Sequence, residues 1–377
     1  MQIDRRAWLR SVGIAAGTVS VARFVGASAA APAAAAAPGA APITRLSLNE
    51  NPYGPSPAVV TAIQHEFSRL CRYTGEEYDT LVGLIAAKEA LPREQVILGE
   101  ILEPLGTYLS EQGGAGGEFI YSDPGYTALI DSAVAVGGRA VGVPLNAKLE
   151  NDLPAIAAKL NERTRAVFLV NPHNPTGIVA DSDQLRNFAR TTSQKALVIV
   201  DEAYLEFADR FADRSLADLV RSGQNVIVFR TFAKVYGLAG LEIGYGLVPK
   251  PLAKMLSAQG LDNPHLFNRL AVVAAIASLQ DAGYVDRVTR EVAKEREKWF
   301  AFLRELKLEF TPSGGNFVFF DTGMPNREFA AALSKEGVVI GRKFPPYERW
   351  ARISIGLPEE NAAARSAVRK ALAVAKA

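Results

Sequence analysis

A single cysteine, Cys71, in 377 residues excludes an internal disulfide framework and any multi-cysteine zinc or iron–sulfur centre. Histidine is almost as scarce. His65, His173 and His265 form no H-x-x-x-H or H-E-x-x-H pair, so no metal site is expected. Neither sign of charge is in excess: 42 Lys+Arg against 40 Asp+Glu leave a formal net charge of +2. That balance excludes the basic surplus of a nucleic-acid binder and the acidic surplus of a solvating tail. The one extended apolar run, near the N-terminus, is short, rich in Gly, Ala and Ser, and interrupted by Arg23, so no stable membrane span is expected. From Ile43 onward there is no low-complexity stretch, internal repeat or long linker. What is present, at 49% hydrophobic and 22% charged, suits an enzyme-sized globule with ample core.

The first forty residues read as an address. A charged start at Asp4-Arg5-Arg6-Ala7-Trp8-Leu9-Arg10, a mildly apolar middle and small residues at 27–29 have the layout of an export signal with an A-x-A-like cleavage site. The paired arginines resemble a twin-arginine signal. Residues 1–29 are therefore expected to be an export signal, and 30–42, nearly all Ala and Pro, a linker. The expected destination is periplasmic or otherwise exported, with the chain soluble after cleavage. A lone cysteine suits an oxidising compartment because it leaves no pair to cross-link wrongly.

Beyond the linker, short apolar runs rich in β-branched residues lie at 95–98, 118–121, 140–143, 166–170, 196–200 and 225–229, and 243–248 adds another. Stretches of helical spacing separate most of them, at 126–136, 152–160 and 181–190. Short all-apolar strands alternating with helices predict an α/β fold with a mostly parallel sheet covered on both faces. After Pro264 the texture changes to helices at 268–279 and 284–306, strands at 317–320, 338–340 and 351–355, and helices at 327–335 and 359–375. This predicts a large domain over 67–265 and a smaller α+β domain from 43–66 and 266–377. Ligands in such sheets sit in the crevice at the carboxyl ends of the strands.

Three strand-end loops carry the reactive side chains: Asn171-Pro-His-Asn-Pro-Thr-Gly177, Asp201-Glu-Ala-Tyr204 and Arg230-Thr-Phe-Ala-Lys234. Each alone has a plain explanation as a turn former, a helix cap or a solvated lysine. At successive strand ends they bring a carboxylate, a phenol, an amide and a lysine to one crevice. Those groups are what a pyridoxal phosphate (PLP) site needs. The lysine joins the cofactor aldehyde, a carboxylate keeps the pyridine nitrogen protonated, and an amide and a phenol hydrogen-bond the ring oxygen.

These motifs, together with Leu48-Asn-Glu-Asn-Pro-Tyr-Gly-Pro-Ser56, Gly237-Leu-Ala-Gly240 and Ala351-Arg352-Ile-Ser-Ile-Gly356, resemble the fold type I, class I/II aminotransferases, and most of all their histidinol-phosphate aminotransferase branch. The match runs in order from about residue 46 to 356. The resemblance implies the PLP-transferase fold, PLP as cofactor, and an amino donor and a keto-acid acceptor as small-molecule partners. It implies Lys234 as the Schiff-base lysine, Asp201 as the pyridinium partner, and Asn174 and Tyr204 at the ring oxygen. Tyr126 would stack on the ring, Thr231 would contact the phosphate, and Tyr73 would reach the phosphate from a second subunit, making a homodimer. Arg352 would clamp the substrate carboxylate, with Arg342 and Tyr53 as further substrate-binding residues.

The departures from the family pattern gather at the phosphate. The turn after strand 95–98 reads Leu98-Gly99-Glu100, short and acidic; an arginine eight positions after the lysine is replaced by Glu242; and the serine before the lysine is Ala233. A carboxylate 4 Å from a phosphate charge costs about 4 kcal/mol at an effective dielectric near 20. Three explanations are open. Arg230 and Tyr73 rebuild the cup while Glu242 turns away, or PLP is held more weakly, or the site is degenerate and the protein only binds. Retention of Lys234, Asp201, Tyr204 and Asn174 together favours an active site. Transamination is the reaction expected, with racemisation, elimination, decarboxylation or oxidation as alternatives on the same machinery. An exported chain makes histidinol phosphate an unexpected substrate, and an amino acid or amino-acid-like amine is expected.

Overall fold

The computed structural model describes residues 43–112 and 114–374. The expected export signal and linker lie outside these residues. Among them no helix is long and apolar enough to cross a membrane.

Eleven strands form: β1 Thr44–Leu46, β2 Val96–Leu98, β3 Glu118–Asp123, β4 Arg139–Pro144, β5 Thr164–Val170, β6 Leu197–Asp201, β7 Val226–Thr231, β8 Gly244–Leu247, β9 Phe317–Asp321, β10 Val338–Ile340 and β11 Trp350–Ser354. Seven of them make the central sheet, in the order β2-β8-β7-β6-β5-β3-β4. The pairs from β7 through β6, β5 and β3 to β4 are all parallel. Strand residues alternate between two apolar cores. Val167, Val198 and Val228 enter one, while Phe168, Ile199 and Ile227 enter the other. A sheet buried on both faces needs apolar residues at every position, which is why these strands read as continuous rather than alternating runs.

β8 departs from the parallel pattern, pairing antiparallel with both β7 and β2. The chain between β7 and β8 forms the lysine loop and one short 3₁₀ turn, Ala239–Leu241. No crossover helix fits in that length, so the chain must return antiparallel. The remaining strands form two pairs, β1 with β10 (parallel) and β9 with β11 (antiparallel). β1 was not read from the sequence, and the helix expected over 152–160 closes after five residues, Leu153–Ala157. The long helices follow their caps. Asp281 accepts from the Tyr284 amide to open Ala282–Glu305, and Asn268 accepts from the Leu270 amide to open Arg269–Gln280.

Parallel register sets the site. Val170 lies opposite Asp201, and Asp201 opposite Phe229. The ends of β5, β6 and β7 therefore deliver their loops side by side.

Candidate active site

Asp201 is the last residue of β6 and only 3% exposed. Its Oδ1 accepts from the Ala203 amide at 2.9 Å. Burial pushes its carboxyl up to about 7, against the lowering effect of the Ala203 N–H; Glu100 adds to the rise and Lys234 opposes it. A carboxyl so placed is ready to take the charge of a protonated ring nitrogen.

Beside it, Tyr204 and Asn174 share a buried network. The Tyr204 hydroxyl accepts from Asn174 Nδ2 at 3.4 Å and from Asn49 Nδ2 at 3.3 Å. Asn174 Oδ1 in turn accepts from Arg352 Nη1 at 2.6 Å, and Arg352 Nη2 donates to the Ser47 carbonyl at 2.8 Å. Arg352 stands in the middle of β11 with its guanidinium over the Phe317 and Phe344 rings. Among the described residues no carboxylate pairs with it, and its Nε has no hydrogen-bond partner. Burial holds it down to about 10. A buried cation with donors unspent calls for an anionic ligand.

Lys234 lies on the loop after β7. Its Nζ donates to the Leu48 carbonyl at 3.5 Å and sits 5.6 Å from the Tyr204 ring centroid. The N-terminal motif clamps this loop, because Asn51 Nδ2 donates to the Val235 carbonyl at 2.9 Å. At Gly237, with φ +74, any Cβ would meet the Gly54 carbonyl oxygen, so only glycine permits the approach. Asn49 and Asn51 are functional positions that residue-by-residue reading missed. Their signal was the motif itself, two asparagines around Glu50 in a segment with no core pattern of its own.

Lys234, Asp201, Tyr204, Tyr126 and Thr231 line one cleft of about 180 Å³. Its ring end fits PLP: a buried carboxyl, a phenol and an amide converge on it, and Tyr126 borders it with a phenol raised by burial and by Asp201. The same lining is poor in groups for a phosphate. Glu100 and Glu242 are both part of it. Glu242 is exposed and holds a left-handed backbone at φ 48. The Thr231 hydroxyl, expected on the phosphate, donates instead to Glu100 Oε1 at 2.7 Å.

Arg230 is the clearest correction. Its guanidinium is 1% exposed and pairs with Glu89 at 2.5 Å and Glu202 at 3.0 Å, with Ser215 Oγ at 2.7 Å. It neutralises buried carboxylates on the far face of the strand and lends nothing to the cleft. Tyr53 lies outside the residues lining that cleft, and its phenol is raised by burial and by Glu291, Glu295 and Glu359. Arg342 is exposed, donates to the Gly125 carbonyl at 3.3 Å and is near enough to Arg352 to repel it. Tyr73 is 77% exposed and lies against His265, outside the cleft of its own chain.

Asp201 leaves a pH signature. An ordinary aspartate ionises near 3.8, so between pH 4 and 7 the folded chain holds one proton here that the unfolded chain has lost. Its contribution to stability is full below that range, falls as pH rises through it, and is constant above. His173, fully buried and held down to about 4, runs the other way between 4 and 6.5. The Asp201→Asn variant isolates the first effect. It will gain on the parent by up to about 4 kcal/mol from pH 4 to 7, read by unfolding of the cofactor-free protein. A pH-independent difference would contradict the assignment.

A family model described as aminotransferase class I and II matches residues 41–367. A histidinol-phosphate aminotransferase of Moorella thermoacetica is 36% identical over 342 residues, spanning 88% of this chain and 86% of its own. Among solved structures, the histidinol-phosphate aminotransferase of Sinorhizobium meliloti, in complex with pyridoxal-5′-phosphate, has a TM-score of 0.80 at 30% identity and covers 88% of this chain and 92% of its own. The putative histidinol-phosphate aminotransferase of Erwinia carotovora atroseptica has a TM-score of 0.81 at 27% identity, over 88% of this chain and 97% of its own.

Proposed function

The chain belongs to the class I and II aminotransferase family, and from that premise we propose that its cleft transfers the amino group of an amino acid or amino-acid-like donor to a keto-acid acceptor. The enzyme is a PLP-dependent aminotransferase of fold type I. The observation that carries the substrate reading is Arg352. Its buried guanidinium has no carboxylate among the described residues, and Asn174 and Ser47 hold it beside the ring contacts.

When bound, PLP supplies an electron sink for the carbon that bears the amine. The chain supplies the rest. Asp201 would face the ring nitrogen, and Tyr204 and Asn174 would hold the ring oxygen. Arg352 takes the substrate oxyanion in a two-pronged grip. Lys234 holds and moves a proton at Nζ, as base and then acid. Transamination is favoured over racemisation or elimination by the match to the aminotransferase family across residues 41–367.

The test is a donor screen with 2-oxoglutarate as acceptor. Equimolar glutamate and donor-derived keto acid are expected. Ammonia release or loss of chirality without glutamate would replace the reading with a lyase or racemase. Including histidinol phosphate among the donors separates a phosphate-bearing substrate from a carboxylate-bearing one, since either oxyanion suits a guanidinium.

We also propose a homodimer. Phe67, Leu70, Tyr73 and Leu266 are each more than half exposed, and the segments bearing them adjoin where the Thr74 hydroxyl donates to the Pro264 carbonyl. Contiguous exposed apolar surface of this kind supports an interface. Sedimentation should give twice the chain mass, and a fully active monomer would rule it out.

A further inference from the structure

We propose that the far end of the cofactor cleft is built for a neutral hydroxymethyl group, so that unphosphorylated pyridoxal and pyridoxamine bind at least as tightly as their phosphate esters. The proposal rests on the reading of this cleft as a vitamin B6 site and concerns only which form of that vitamin it takes.

The first observation is the charge already installed. Glu100 and Glu242 both line the cleft; Glu100 is held by Thr231 with its carboxyl raised by burial, and Glu242 is exposed, so an anion added beside them meets acidic groups rather than counter-charge. Glu100 is not free to swing aside. Its Oε1 lies 3.0 Å from where a Cβ on Gly244 would stand, and Thr231 Oγ1 holds it at 2.7 Å. The second observation concerns the helix Leu102–Glu111, which opens at this point without a side-chain cap and carries Glu103 in its first turn. The positive end of a helix dipole is a ready anion site. Here Glu100 and Glu103, two and one residues from that opening, bring the chain's own carboxylates to it.

The third observation is that no cation is spare. Of the groups lining the cleft, only Lys234 is basic. Arg230, one residue before Thr231, is buried between Glu89 and Glu202. Withdrawing it would strand two buried carboxylates, which is strongly unfavourable. From the described residues of its own chain, a phosphate dianion would therefore meet two acidic side chains, a hydroxyl already donating elsewhere, and no free guanidinium. A hydroxymethyl group meets a complementary surface instead. Its O–H donates to Glu100 or Glu242, and it brings no charge to be neutralised.

Direct titration tests this, with pyridoxamine and pyridoxamine phosphate as probes because neither forms the internal hemiacetal of pyridoxal. Calorimetry on cofactor-free protein should show pyridoxamine binding as tightly as its phosphate or more tightly. In Glu242→Arg, and in the isosteric Glu100→Gln/Glu242→Gln double variant, the ratio should move toward the phosphate by about tenfold or more. The double variant covers the case in which arginine at a left-handed position impairs folding. A parent protein that binds the phosphate form more tightly overturns the proposal. So does a preference for phosphate that emerges only with millimolar magnesium, which would assign the carboxylates to a bridging cation. Failure of both vitamers to bind would refute the cofactor reading, a separate outcome.

Discussion

Replacement of Lys234 by alanine will lower the transamination rate by about 10⁴-fold, the upper end of what a positioned proton-transferring group contributes. The geometry leaves this amine free for that work. Among the described residues it makes no ion pair at contact distance, only a long hydrogen bond to the Leu48 carbonyl at 3.5 Å and a position over the Tyr204 ring. Its loop is pinned on both sides, by Asn51 to Val235 and by the close pass of Gly237 against Gly54. The side chain is thus placed by backbone contacts rather than by a charge partner that would compete for its proton. Arginine at 234 will be equally inactive, because it keeps the charge and cannot give up the proton at working pH. Three readouts check the role: rate, the visible absorbance of bound cofactor, and the mass added to the peptide carrying residue 234 after borohydride reduction. Partial rescue of the alanine variant by small primary amines would confirm proton transfer as the missing step. An alanine variant that retains a tenth of the parent rate would remove Lys234 from the mechanism.

The second large effect concerns Arg352. Conversion to methionine will cost about 3 kcal/mol of transition-state binding, roughly 150-fold in kcat/KM, as expected for losing charge-assisted hydrogen bonds to a substrate oxyanion. Lysine will recover little of this, since a point charge cannot replace the planar fork that reaches Asn174 and Ser47 together. The same substitution should leave thermal stability unchanged or raise it. Arg352 is buried without a carboxylate partner among the described residues and its Nε is unspent, so the free enzyme carries a desolvated cation that only substrate relieves. Activity falling while stability holds separates a binding arginine from a structural one. Loss of both in parallel would mean that Arg352 only supports the fold.

Arg230 shows how much more the sequence held than was taken from it. Side chains on a strand alternate, and Val226 and Val228 face one core while Phe229 and Thr231 line the cleft. Arg230 shares the parity of the valines. Once Thr231 was placed toward the cofactor, its neighbour had to point away, and a count of two along β7 would have excluded Arg230 from the phosphate. Glu202 and Glu89, its actual partners, had no such signal, because they lie 28 and 141 positions away in sequence. The motif that carries Tyr53 reaches the site through Asn49 and Asn51.

The alternation of short β-branched runs with helices was sufficient to establish an α/β sheet, since burial on both faces requires apolar residues at consecutive positions whatever the rest of the chain does. The strand-end loops were equally readable, because turn chemistry is local and a register of parallel strands brings successive ends together. Folding in three dimensions was needed to join Asn49, Asn174, Tyr204 and Arg352 into one hydrogen-bonded group, to set Glu100 against Thr231, and to reverse β8. Those contacts link side chains tens to hundreds of positions apart, and their partners are chosen by packing and by the cost of leaving a buried polar group unpaired, neither of which a local pattern carries.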